Sequence, residues 1–379
     1  MKIVFISNFM NHHQLPLCLE LKKNSSSFTF FQTDEFVPNE RIKMGYDDYL
    51  TKYDFVKVIK KSEYSLIIKE IDEADILIVG GTNIDKKLLK ERIKNKKIIY
   101  RYSERVFKHS NIKTPIKNIL KKIYYKFKLT RESNSNSFLL CSSAYTALDY
   151  NKMGLYKKKY LKWGYFPYVD DSGITKSFDN QIKFLWVGRF ISWKRPLMAI
   201  KAIENLVKNG FNVSLCLIGN GDLVEECKEY TIKNNLQNFI SFVGNIHHSE
   251  VLEYYKEANA FLFTSDFNEG WGAVLNEAMG MGCIPIASHA AGSTRFLIDN
   301  GKNGYIFNSD SKEDLNNKLF QFLEKENKDK LIMSKEARNT ILKNWNYREA
   351  ANRLLDFSAE KNIYENGPIS RAELIKEKI

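Results

Sequence analysis

The sequence predicts an α/β protein of two parallel-sheet domains, and three observations carry that reading. At 379 residues the chain is too long for one comfortable core, since single domains run to roughly 100–200 residues. Short apolar runs alternate with helical patterns through both halves, as in successive βαβ units. Between the halves, GYFPYVDDSGITKSFDN is polar, aperiodic and broken by Gly and Pro, which marks a connection and not an element. The expected layout is a Rossmann-like domain over 1–165, a linker over 166–180, a second Rossmann-like domain over 181–345, and a helical segment over 346–379 that returns to the N-terminal domain. The two sheets are expected to face a central cleft.

In the first half the apolar runs predict strands at Lys2–Ile6, Phe28–Phe31, Asp75–Val79, Lys97–Tyr102, Ser137–Cys141 and Tyr160–Trp163. Helical spacing predicts Leu15–Lys23, Glu63–Ile71, Ile84–Lys94, Pro115–Phe127 and Ala144–Met153. In the second half strands are expected at Ile182–Val187, Val213–Ile218, Ile240–Val243, Ala260–Thr264, Ile284–Ala287 and Tyr305–Phe307. The intervening helices are Leu197–Lys208, Leu223–Asn234, Glu250–Ala258, Ala273–Met279 and Glu313–Leu323. Asn346 followed by Glu349 is a helix-start signal, and Tyr347–Ala359 follows it as a long terminal helix.

Hydrophobic residues make up 44% and charged residues 27%, an ordinary globular composition. The net charge of +13 favours anionic partners: nucleotides, lipid headgroups or nucleic acid. Five scattered cysteines, with no C-x-x-C pair, read as small buried hydrophobes in a reducing compartment. MKIVFISNF holds a four-residue apolar run, a first strand and not a signal peptide. No run approaches the roughly 18 apolar residues of a bilayer span. A cytoplasmic protein is expected, with peripheral attachment to the membrane as an open alternative.

Ligands of open α/β sheets bind beyond the carboxyl ends of the strands, and four such ends in the second half carry polar or glycine-rich residues. FLWVGRFISWKR places Gly188, Arg189 and Lys194 after a strand. Two cations there can clamp a diphosphate, although a solvated loop has the same composition. Gly219 and Gly221 in CLIGNGD, and Gly244 in FVGNIHH, allow close approach of a ligand or merely a tight turn. FTSDFNEGWGAVLNEAMGMG is the most informative: Glu269-Gly270-Trp271-Gly272-Ala273 leads into a helix whose free N–H groups suit a phosphate or polar sugar. Glu277 follows on the same helix, where a carboxylate can accept from both hydroxyls of a ribose.

This region resembles retaining glycosyltransferase family four, a GT-B group that includes sucrose, lipopolysaccharide and capsule enzymes. Glu269 and Glu277 match its E-x7-E signature, Gly188, Arg189 and Lys194 its G-R-x4-K element, and Gly219 and Gly221 its G-x-G. Phe242–Gly244 matches the segment that faces the base. The resemblance is close from Ile182 to Arg295 and elsewhere rests on layout. It implies a nucleotide-sugar donor, with UDP the commonest carrier in the family, and transfer with retention to a glycan or lipid-linked acceptor in bacterial surface polysaccharide synthesis. Glu269, Arg189 and Lys194 would do the catalytic work. Gly188, Gly219, Gly221, Val243, Gly244, Gly270, Trp271, Gly272, Ala273 and Glu277 would hold the donor. No cofactor or metal is implied, and the chain has no D-x-D triplet or cluster with metal-ligand spacing.

On the acceptor side, Asn11, His12, His13 and Gln14 occupy a loop where the family often has paired glycines. They either line the cleft or cap the following helix. Glu104, after another strand, either faces the cleft or pairs with Arg101 or Arg105. His109, at a region where many relatives carry a histidine, lies further along. Over Pro115–Arg131, Ile116, Ile119, Leu120, Ile123, Tyr124 and Phe127 keep helical spacing. Seven cations between Lys113 and Arg131 are uninterrupted by acids. Such a helix either lies on anionic lipid or packs its stripe on the sheet with its lysines in water. Two rival functions were weighed. An epimerase or hydrolase on the same fold would need a different set of cleft acids and histidines. A basic nucleic-acid binder lacks any recognisable module here, so no nucleic-acid partner is expected.

Overall fold

The computed structural model describes residues 1–38, 42, 47–108, 114–169, 172–178 and 181–377. The chain forms two compact units, Met1–Tyr168 with Asn346–Lys376, and Val169–Trp345 with Glu377–Ile379.

The first unit holds strands β1 (Lys2–Ser7), β2 (Ser27–Gln32), β3 (Val56–Val58), β4 (Ile76–Val79), β5 (Ile99–Ser103), β6 (Ser137–Cys141) and β7 (Tyr160–Lys162). They form one sheet in the order β3-β2-β1-β4-β5-β6-β7, with every pairing parallel. Its helices are α1 (Leu15–Lys23), α2 (Tyr64–Glu73), α3 (Lys90–Lys94), α4 (Thr114–Ser133) and α5 (Thr146–Lys152). A parallel sheet is covered on both faces, so its central strands are apolar throughout and not alternating; all four residues of β4 are buried. The chain leaves β1 on both sides, toward β2 and toward β4, which makes the carboxyl end of β1 a switch point.

The second unit continues with β8 (Ile182–Val187), β9 (Val213–Ile218), β10 (Ile240–Gly244), β11 (Ala260–Phe263), β12 (Ile284–Ser288) and β13 (Tyr305–Phe307). Their order is β10-β9-β8-β11-β12-β13, again all parallel, with the switch point between β8 and β11. The helices are α6 (Pro196–Lys208), α7 (Val224–Lys233), α8 (His248–Glu257), α9 (Val274–Gly280), α10 (Thr294–Leu297), α11 (Lys312–Leu323) and α12 (Asn327–Lys343). The apolar faces of α6 and α11 close over Phe184, Trp186, Leu215 and Ile286 to make the core.

The C-terminal helix, Tyr347–Glu360, belongs to the first unit. Asn346 caps it by accepting from the Glu349 amide at 3.0 Å. The Tyr100 and Ser358 hydroxyls meet at 2.7 Å, and Arg371 bridges to Leu161 beside β7.

Several elements differ from the sequence-based expectation. β3 has three residues with a lysine at its centre, too short to register as an apolar run. Ile84–Lys94 divides into a 3₁₀ turn, Lys86–Leu89, and the five-residue α3. α10 and α12 were not expected, the first because it is a single turn and the second because polar residues dominate it. In the stretch read as a linker, 172–178 is packed: Phe178 joins the core, and buried Lys176 donates to the carbonyls of Tyr255, Lys256 and Ala258 at 2.6–2.7 Å. Those carbonyls end α8, where a cation is favoured by the helix dipole. Buried Arg92 plays a similar part in the first unit. It donates to the carbonyls of Ile71, Ala74 and Ile98 at 2.6–3.0 Å, and burial pushes its guanidinium down to about 10.

The apolar stripe of α4 does not pack on the sheet. Ile119, Leu120, Ile123, Tyr124 and Phe127 are 49–82% exposed, and only its last turns, with Leu129, Glu132 and Ser133, are buried. His109 and Lys113 lie outside the described residues, and the side chain of Ile116 is likewise not described.

Candidate functional site

The second unit gathers its site at the carboxyl ends of β8, β9, β10 and β11. β8 runs into Gly188, exposed Arg189 and a 3₁₀ turn, Ser192–Lys194. The Arg189 guanidinium stacks over the Trp193 ring at 5.4 Å, leaving its edge for an anion. The turn is anchored by Thr264, buried at the end of β11. Its hydroxyl accepts from Trp186 Nε1 at 3.1 Å and donates to the carbonyls of Lys194 and Arg195 at 2.7 and 3.1 Å. The ends of two adjacent strands are thus tied through one side chain.

Lys194 is aimed by that anchor at Glu269, and the two form an ion pair with each side chain only 12–13% exposed. Ser265 donates to the same Glu269 oxygen at 3.0 Å. The structure therefore joins the G-R-x4-K element to the first glutamate of the E-x7-E pair. A desolvated ion pair with a further donor makes a polarised seat for an incoming polar group.

Gly219 and Gly221 have a packing role that a plain turn does not require. Both have positive φ, 128° and 151°, and a Cβ would lie 2.0 Å from the Gly188 carbonyl oxygen and 2.6 Å from that of Phe190. The loop after β9 lies directly on the loop after β8, joined by Phe190 N to Asn220 O at 2.9 Å and Leu223 N to Phe190 O at 3.0 Å. Gly244 also has positive φ, 82°, but open space where its Cβ would be, and it ends β10 after a register shift at Val243.

Gly272, at φ 87°, passes over Phe263, whose ring would be 2.3 Å from a Cβ. Trp271 is fully buried. Its Nε1 donates to Asn276 Oδ1 at 2.8 Å, and its ring packs against Phe296 and Trp345. The side chain is thus a core anchor, and what the Gly270–Ala273 turn offers a ligand is backbone. Beyond it, Asn276 Nδ2, Ser293 Oγ, Thr294 Oγ1 and Arg295 Nε are buried with no hydrogen-bond partner among the described residues. No local sequence signal marks these residues, and buried polar atoms left open are where a polar ligand is accepted.

Glu277, the second glutamate, is buried and already engaged. His248 Nε2 meets one carboxylate oxygen at 3.1 Å, and the Tyr255 hydroxyl donates to the other at 3.3 Å. Burial, reinforced by Glu277, holds the Tyr255 hydroxyl well above its ordinary value, so it stays a donor. Of the two histidines in FVGNIHH, His247 caps α8 in a reciprocal arrangement with Glu250, which frees His248 to reach across. The hydrogen bond to Glu277 raises the His248 pKa against the opposing effect of burial. A histidine whose folded value is raised stabilises the fold fully below its ordinary value of about 6.5 and loses that contribution as pH rises through the folded value. Melting temperatures of wild type and His248→Gln are therefore expected to differ more at pH 6 than at pH 8.5. An equal difference at both would show that the pair carries no charge.

In the first unit, the Asn11 side chain accepts from the His13 and Gln14 amides at 3.1 and 3.2 Å and so closes the turn before α1, whose N-terminus has no side-chain cap. The rings of His12 and His13 lie 3.8 Å apart, and His13 lies 5.9 Å from Tyr165. Tyr165 donates to Glu104 at 2.9 Å, and Glu104 also pairs with Lys108 at 3.7 Å. Glu104 pairs with neither candidate arginine: Arg101 binds Glu132, and Arg105 lies 3.7 Å from Asp149. His13 and Glu104 are brought together through Tyr165, a residue hidden in the segment next to the expected linker. Among the described residues no group of three or more His, Cys, Asp or Glu could hold a metal ion.

Residues 170–340 match the family described as Glycosyl transferases group 1. An uncharacterized glycosyltransferase of Methanocaldococcus jannaschii is 29% identical over 182 residues, 48% of this chain and 46% of that one. The GalNAc-alpha-(1->4)-GalNAc-alpha-(1->3)-diNAcBac-PP-undecaprenol alpha-1,4-N-acetyl-D-galactosaminyltransferase of Campylobacter jejuni is 30% identical over 161 residues, 42% of this chain and 44% of its own. The chain thus matches less than half the length of these relatives. In fold it is similar to HepE of Anabaena, solved in complex with UDP, with a TM-score of 0.70 at 15% identity over 96% of this chain and 100% of that one. The fold is GT-B.

Proposed function

We infer, from the match of residues 170–340 to the group 1 glycosyl transferases, that this chain moves a sugar from a nucleotide-sugar donor to a glycan or lipid-linked acceptor in surface polysaccharide synthesis. The observation that carries the reading is the junction of Lys194 and Glu269 near Arg189, with Glu277 on α9, the helix that follows Glu269. Arg189 and Lys194 take the diphosphate, Glu277 the ribose, and Glu269 with the Gly270–Ala273 backbone the transferred sugar. UDP is the proposed carrier, in keeping with its presence in the HepE structure. A lipid-linked acceptor is in keeping with the name of the Campylobacter relative.

The proposed reaction keeps the anomeric configuration and uses no metal. The bond from the anomeric carbon to the β-phosphate oxygen breaks, and a bond to the acceptor oxygen forms on the same face. The acceptor proton passes to the departing phosphate oxygen. Lys194 and Arg189 lower the barrier by offsetting charge that grows on that oxygen. The test is transfer from UDP-sugars followed by NMR of the product, with and without EDTA. An α-linked donor giving an α-linked product in both conditions is expected; inversion, or loss of activity specific to chelation, would overturn the mechanism.

We also propose that α4 brings the first unit to an anionic membrane surface. Its support is the exposed stripe of Ile119, Leu120, Ile123 and Phe127 flanked by lysines. Each cation contributes on the order of 1 kcal/mol near such a surface. No helix among the described residues is long and apolar enough to cross a membrane. Changing Lys117, Lys121, Lys122 and Lys126 to Gln is expected to abolish co-sedimentation with phosphatidylglycerol vesicles at low salt; unchanged binding would refute the role of the helix.

A further inference from the structure

The first unit contains a recess that the glycosyl-transfer reading leaves unused. It lies between the 3₁₀ turn and α3 on one side and the C-terminal half of α4 on the other, with a volume of about 580 Å³. That is the size of a small-molecule site and not of a surface wrinkle, such sites spanning roughly 300–1,000 Å³. Apart from the buried Arg101–Glu132 ion pair its interior is hydrocarbon: Ile84, Leu89 and Leu129 are buried, and Ile93 is half-buried.

The rim is cationic. Lys86, Lys87, Lys90, Lys94, Lys128 and Arg131 surround the mouth. The single acid in the lining, Glu132, is not available to balance them. It is buried, paired with Arg101 through both oxygens, and it accepts from the Tyr156 hydroxyl at 2.6 Å. Six cations around an apolar floor, with the one acid already neutralised, complement a ligand that joins an anionic head to a hydrocarbon tail.

The place of the opening narrows the source. Phe127 stands at the mouth, 82% exposed, with Lys86 Nζ over its ring at 4.4 Å. It is also the last member of the exposed stripe of α4. The recess therefore opens where that stripe would meet a bilayer, and a soluble phosphate would leave its floor of four aliphatic side chains unfilled. We propose that the recess is a binding site for one phosphate-headed lipid of the membrane leaflet, its head among Lys86, Lys90, Lys94 and Arg131 and its first methylenes on Ile84, Leu89, Ile93 and Leu129. The inference rests on the membrane-contact reading of α4 and extends it from a general electrostatic attraction to a stoichiometric site.

The test uses the full chain and soluble short-chain lipids, so that binding is read without a membrane. Dihexanoyl phosphatidic acid, dihexanoyl phosphatidylcholine and glycerol phosphate are titrated calorimetrically. Phosphatidic acid is expected to bind one to one, and the other two at least about tenfold more weakly. Lys90→Glu with Lys94→Glu, both exposed and so harmless to folding, is expected to weaken phosphatidic acid by more than about tenfold. Ile93→Trp, which fills the recess and leaves every charge in place, is expected to do the same, with circular dichroism confirming that it folds. Equal affinity for glycerol phosphate would make this a soluble-phosphate site and overturn the proposal, as would undiminished binding by the Lys90/Lys94 variant. The Lys117/Lys121/Lys122/Lys126 variant separates the two readings, because it removes vesicle attraction and leaves the recess intact. Retained one-to-one binding with vesicle binding absent even in wild type would refute the helix and uphold the recess; vesicle binding without one-to-one binding would do the reverse.

Discussion

Replacing Lys194 with Ala is expected to lower kcat by about 10²–10³, the cost typical of removing one electrostatic partner of a developing oxyanion. Arg189→Ala is expected to cost less. The two cations share a strand end but not an environment: Lys194 is mostly buried against Glu269 and Phe263, whereas Arg189 is exposed and screened by water. Lys194→Ala also removes the cation paired with the mostly buried Glu269 carboxylate, to which Ser265 still donates. Part of the loss could then be a loss of fold, and breaking a buried pair typically costs about 3–5 kcal/mol. The double variant Lys194→Ala with Glu269→Gln separates the effects, because it restores a neutral site without restoring a cation. Its melting temperature is expected to recover toward wild type while kcat stays low. Recovery of turnover along with stability would show that Lys194 acts only by satisfying Glu269. Near-normal kcat in the single variant would remove the leaving-group assignment altogether.

Gly219→Ala is expected to be the most destabilising glycine-to-alanine change in the second unit. At φ 128° the new Cβ would lie 2.0 Å from a backbone oxygen, that of Gly188, and backbone cannot rotate aside as a side chain can. Strain at such a conformation costs about 1–3 kcal/mol and overpacking a further 1–3, so about 3 kcal/mol or more is expected. Gly244→Ala is the control. It has positive φ as well, but its Cβ would enter open space, so only the left-handed penalty of about 1–2 kcal/mol applies. Calorimetric unfolding should therefore show a large drop in the second unit's transition for Gly219→Ala and a small one for Gly244→Ala. Equal drops would mean that the contact between the two loops relaxes freely. Donor affinity should fall with the first and not with the second.

The second unit was readable from sequence almost to the residue because its strands are dominated by buried apolar residues. Ile182–Val187 and Val213–Ile218 are apolar but for Lys183 and Ser214, Tyr305–Phe307 is apolar throughout, and glycine or polar residues stand at their ends. β3 and α12 escaped for the opposite reason: each buries so little apolar surface that composition does not set it apart. At the site, residue type and spacing exposed Glu269, Glu277, Arg189 and Lys194 but not their pairing, since a contact between Lys194 and Glu269 is a property of how two loops fold back. His248 and Tyr255 were missed because nothing local distinguishes them. They become notable only when α8 is laid beside α9 and their side chains fall on Glu277. Trp271 shows the converse, a residue prominent in the motif whose side chain turns out to serve the core.

The stacking of the loop after β9 on the loop after β8 has a consequence for how such a protein can diversify. With Gly219 and Gly221 pressed against the carbonyls of Gly188 and Phe190, neither loop can change length or trace alone. An insertion in one forces a matching change in the other. Heritable variation in substrate choice is thereby channelled into segments outside that lock, such as the turn from Asn245 to His247 and the run from Ala290 to Arg295. On the proposed reading, the diphosphate end of the site becomes the fixed part of the machine and the two segments outside the lock its adjustable jaws.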